Sequence, residues 1–131
     1  MAVRDASRGL LGASNTSLED GSKIFDDSLG NVVSVVWTGL LNGDSGEPVD
    51  LTEFSDRSVQ IAGTLGTGGT IAVEGSNDGV TYYTLKDLFG NSLSTTALLL
   101  SGIAEITKWV RVRVTAGNGS TSLQAIIVAR R

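Results

Sequence analysis

The chain has 131 residues, 18% of them charged and 40% hydrophobic, enough for one packed domain with a short arm and too few for two ordinary domains. It holds 17 glycines and one proline without a three-residue glycine period, which excludes collagen and points to many tight turns. The absence of cysteine and histidine removes disulfides, thiolate-held metals, the usual zinc nitrogen ligand and the Ser-His-Asp triad, so neither cofactor nor metal is expected and an enzyme is the less expected class. A formal charge of −4 is not the basic footprint of a nucleic-acid binder. No apolar run approaches the roughly 20 residues of a membrane helix, and the opening Met1 to Arg8 lacks the apolar segment of a signal peptide, so a cytosol-made soluble protein is expected.

Residues 1–31 are rich in Ser, Gly, Asp and Asn, with scattered Leu10, Leu11, Leu18, Ile24, Phe25 and Leu29. No strand or helix period persists there, and the reading is an extended N-terminal arm whose apolar residues need a surface to cover. Residues 32–131 read as the folded domain. Val32 to Thr38 is a β-branched run. The loop Gly43 to Pro48 follows, and Val49 to Leu51 reads as a short edge strand. Arg57 to Thr64 and Thr70 to Gly75 both alternate, placing Val59, Ile61, Ile71 and Val73 inside. Between them Gly66 to Gly69 reads as a hairpin turn, and Ser76-Asn77-Asp78-Gly79 as a second turn leading into a strand over Val80 to Leu85.

Thr95 to Ile106 reads as a short strand or irregular crossover, because Gly102 interrupts any helix. Lys108 to Thr115 is the clearest strand: Val110, Val112 and Val114 face one way, Arg111 and Arg113 the other. Gly117-Asn118-Gly119 reads as a hairpin, with the last strand over Ser120 to Ala129. Seven or eight short strands at this spacing predict an all-β fold, an antiparallel β-sandwich or jelly-roll with an extended N-terminal arm.

Charge is uneven. Residues 1–30 carry three basic against five acidic side chains, residues 31–104 two against eight, and residues 105–131 five against one. The basic end either neutralises acidic loops of its own domain or meets carboxylates of a partner. Arg111, Arg113, Arg130 and Arg131 form the cationic cluster. The carboxylates of Asp44, Glu47, Asp50, Glu53 and Asp56 recur every three residues but lack the register of a calcium-binding loop, and solvated loop charge explains them better. The glycines at 63, 66, 68 and 69 lack the lysine and helix of a phosphate loop. Glu74, on an outward strand face, and Asp78, in a tight turn, do not read as a glycosidase pair.

The segment TIAVEGSNDGVTYYTL, residues 70–85, is similar to a hairpin of galactose-binding-like (discoidin) β-sandwiches and of tailed-phage virion proteins. KWVRVRVTAGNGSTSLQAIIVARR, residues 108–131, resembles the end of small phage structural proteins encoded with the head genes. The resemblance covers about residues 57–131 and contains no catalytic motif. From the discoidin pattern the chain departs by lacking paired cysteines and exposed aromatic loops. The phage resemblance implies a capsid decoration, or cement, protein. It would be made in the host cytoplasm and placed on the capsid exterior, as a homotrimer bound to the major capsid protein, with no nucleic-acid or membrane partner. Leu10, Leu11, Ile24 and Phe25 of the arm, with Arg111, Arg113, Arg130 and Arg131 as polar anchors, are then the expected contact residues. Two rival expectations are a carbohydrate-binding module using Trp37, Tyr82 and Tyr83, and another virion component such as a tail or connector protein.

Overall fold

A computed structural model describes the backbone of residues 14–17 and 23–26 and all atoms of residues 30–131. Every regular element among them is a strand: β1 (Ser14–Ser17), β2 (Lys23–Asp26), β3 (Val32–Leu41), β4 (Val49–Asp50), β5 (Asp56–Thr64), β6 (Thr70–Ser76), β7 (Tyr83–Thr84), β8 (Ser94–Thr95), β9 (Leu100–Gly102), β10 (Trp109–Ala116) and β11 (Ser122–Arg130). They form two antiparallel sheets. One runs β1-β2-β3-β11-β5-β9; the other runs β4-β10-β6-β7, with β8 also paired to β6. The fold is the expected all-β sandwich. Within the segment expected as an arm, β1 and β2 pair with each other and β2 pairs with β3, extending the larger sheet. Leu10 and Leu11 lie outside the described residues.

The core follows from strand alternation. Val33, Val35, Val59, Ile61, Ile127 and Ala129 point inward from the larger sheet, against Ile71, Val73, Val110, Val112 and Val114 of the smaller one. One irregularity extends this set. Ala125 lies opposite Trp37 and Leu123 opposite Leu40, so β3 holds one more residue than β11 across that interval. Gly39, at φ +64°, lies in the extra stretch, and the bulge lets Trp37 and Leu40 both enter the core despite their odd spacing. The indole N–H of Trp37 donates to the Glu47 carbonyl at 3.0 Å.

Three local expectations change. Gly66 to Gly69 and Gly117 to Gly119 are not hairpin turns. The first connects β5 to β6, the second β10 to β11, and each pair is split between the two sheets. The strand expected from Val80 to Leu85 shortens to Tyr83–Thr84, because the N–H groups of Val80 and Thr81 donate to Asp78 Oδ1, both at 2.8 Å, rather than to a strand. Glu74 is not on a solvated face: it is buried. The ambiguous stretch after Thr95 is a crossover, since β8 belongs to the smaller sheet and β9 to the larger.

Candidate functional site

The arginines of β10 turn outward from the smaller sheet and converge on one carboxylate. Arg111 Nε donates to Glu74 Oε1 at 2.9 Å, and Arg113 Nη2 to Glu74 Oε2 at 2.9 Å. Strand register sets this up, because Arg111 lies directly opposite Glu74 and Arg113 lies opposite Ala72, two residues along β6. Only 5% of the Glu74 side chain is exposed. Burial alone would raise its pKa, but the hydrogen bonds and charges of Arg113 and Arg111 outweigh that and hold the carboxyl below its ordinary value. The Arg111 guanidinium also stacks 3.9 Å from the centre of the Tyr82 ring.

At the other end of the chain, Arg131 donates through Nε to the Gly30 carbonyl at 2.6 Å and through Nη2 to Glu53 Oε2 at 3.3 Å. Arg130 is exposed and lies opposite Asp56 on β5. Three of the four expected anchors thus bond acceptors of their own chain.

The acidic loops are equally engaged. Asp44 accepts from the Leu41 N–H at 2.9 Å and Asp50 from the Thr52 N–H at 2.9 Å. Among the described residues, no group of three or more acidic side chains is placed to hold a metal ion. Asp78 accepts from the backbone of Thr81, the Ser76 hydroxyl and the backbone of Val80, which together pull its pKa down to about 2. The aromatic residues separate. Trp37 is fully buried and cannot stack on a sugar, and Tyr82 is covered by Arg111. Tyr83 is 72% exposed and borders an open groove of about 520 Å³ that also includes Asn77, Asp78, Thr84 and Glu105.

The larger sheet has a different outer face. Register aligns Val36, Ile126, Gln60 and Leu100 in one row across β3, β11, β5 and β9. The next row holds Ser34, Val128, Ser58 and Gly102. Over these four strands neither row contains a charge; on β2 the first row continues to Lys23, opposite Val36, and at the sheet's end Arg130 lies opposite Asp56. A methyl group on Gly102 would meet Leu88 Cδ1 at 2.8 Å, so Leu88 lies directly on that glycine and continues the face. Ile24 and Phe25 are opposite Val35 and Ser34 in the backbone register of β2.

The loop carrying Leu88 is firmly built. The N–H groups of Phe89 and Asn91 donate to Asp87 Oδ1 at 2.8 and 2.9 Å, and Gly90 turns the chain at φ +86°. The bond from Asn91 leads the contacts that lower the Asp87 pKa. Phe89, at the tip, is 91% exposed. Nothing in the isolated sequence marks this face, since its members come from four distant segments; strand parity alone, applied with the right sheet order, would have found it.

No protein-family model matches the chain, and no curated protein sequence matches it. In three dimensions it is similar to the crystal structure of the SPBc2 prophage-derived protein YomS, with a TM-score of 0.55 and 17% identity over 74% of this chain and 94% of that one. The two proteins share a fold.

Proposed function

We propose that this protein is a non-enzymatic structural component of a phage particle, a cement protein that decorates the capsid and stabilises it by binding across capsid subunits as a homotrimer. The observation that carries this reading is the fold shared with a prophage-derived protein over nearly that protein's whole length. The phage-like segments at residues 70–85 and 108–131 support it. So does the surface: the polar clusters described above tie strands and loops of the chain to one another, while a sheet face uncharged in its central rows over four strands and a loop with an exposed apolar tip are left for contact. A clamp of this kind works by multivalency, because several weak contacts on neighbouring capsid subunits add to a firm one.

The test is to purify particles of the phage whose genome encodes the chain and to locate it by mass spectrometry and electron microscopy. Multiple copies on the head exterior are expected. Absence from the particle overturns the reading, and copies confined to the tail or neck favour the connector alternative. The exposed Tyr83 beside its groove keeps carbohydrate binding as a second reading, in which Tyr83→Ala abolishes binding on a glycan array; an array without hits ends it.

A further inference from the structure

We infer that the outer face of the larger sheet, from β3 to the β9 edge, is where copies of this chain bind one another. Three features meet there. The two central rows carry no charge over four strands, about 15 Å at the usual strand spacing. The edge strand β9 is short, Leu100–Gly102, but from Leu93 to Ala104 there is neither a charged residue nor a proline, two of the devices that keep exposed edges from pairing. Finally, four large apolar side chains border this edge in the open, Leu88 at 70%, Phe89 at 91%, Leu98 at 49% and Leu100 at 73% exposure.

A second copy is the occupant that these features fit. A contact between like surfaces sets each patch against the same chemistry, so a charged face would repel itself while an uncharged apolar one does not. The chain is acidic overall, at −4, and this face keeps that charge out of the contact. The area suffices: the four side chains present on the order of 600 Å², and the half-buried Val36, Ile126 and Val128 beside them bring the patch toward the roughly 800 Å² per partner of a standard interface. In the row Ser34, Val128 and Ser58 one apolar side chain stands between two small ones, a low surface against which Phe89 or Leu100 of the neighbour can pack.

This contact requires no virion, so it is tested apart from the phage reading. Light scattering on the full chain at micromolar concentration is expected to give an oligomer whose mass counts the copies. The double variant Leu100→Lys with Phe89→Asp, both exposed sites, is expected to raise the dissociation constant at least tenfold and yield monomer with an unchanged circular dichroism spectrum. Val80→Lys, at an 82% exposed site outside this face, is expected to leave the oligomer intact. A monomeric wild type overturns the inference, as does an oligomer indifferent to the double variant or equally sensitive to Val80→Lys. A wild type that is monomeric alone and binds phage heads, with that binding lost in the double variant, assigns the face to the capsid protein instead.

Discussion

Replacing Glu74 by Gln keeps the side chain's shape and removes the charge that Arg111 and Arg113 share. The loss is expected to be about 1–3 kcal/mol, the usual worth of hydrogen bonds to a charged group, read as a lower urea midpoint with unchanged slope. The carboxyl's pKa in the folded protein is depressed from its ordinary 4.5. Its contribution is therefore fully present above that pH and is lost as pH falls through the lower folded value. The wild type should lose stability over that acid window more steeply than Glu74→Gln, and parallel curves would remove Glu74 from the account. Gly46 offers a purely steric test. A Cβ there would lie 2.5 Å from Trp37 Cδ1, and the indole is fully buried and has nowhere to retreat. Gly46→Ala is expected to destabilise by about 1–3 kcal/mol, visible in thermal unfolding.

Among elements, the strands were largely legible and their partners were not. Alternation located β5, β6 and β10 with their inward residues, the β-branched run Val32 to Thr38 marked β3, and the stretch after Gly119 marked β11. Gly66 to Gly69 shows the limit. Glycine at positive φ turns a chain equally well within a sheet and between sheets, and only the second happens here. Glu74 shows another: a charge on an alternating strand reads as solvent-facing unless the two arginines that bury it, 37 and 39 residues away, are placed beside it. Of the expected contact residues, Arg111 and Arg113 were recognised as a pair, but their acceptor was not. The β1–β2 pair adds an element-scale prediction. Both strands lie beyond β3, so a chain beginning at residue 31 exposes the edge of the run Val32 to Trp37. Such an edge recruits other chains, and the truncated protein is expected to aggregate on concentration, measured by light scattering. A truncated chain that stays dispersed would show that β3 needs no cover.

On the scale of the whole molecule, the two sheets divide the work. The smaller one turns ionic residues outward and spends them on each other, through Glu74 with Arg111 and Arg113. The larger one turns outward a face whose two central rows are uncharged from β3 to β9, bordered by Leu88 and Phe89. A particle protein of the proposed kind needs both, a surface that stays in solution and a surface that grips.

The place of β11 has a consequence for biosynthesis. It is the last strand in the chain, yet it lies between β3 and β5 in the larger sheet. While residues 32–121 emerge from the ribosome, β3 and β5 lack the strand that joins them, and the larger sheet has no complete inner face to set against the smaller one. Closure of the sandwich is thus expected only once residues 122–130 are available, and a nascent chain stalled earlier is expected to be a client for chaperones. Such non-local pairing folds in milliseconds to seconds rather than microseconds. A chain ending at residue 121 is expected to show no cooperative melting by calorimetry, whereas the wild type shows a single transition.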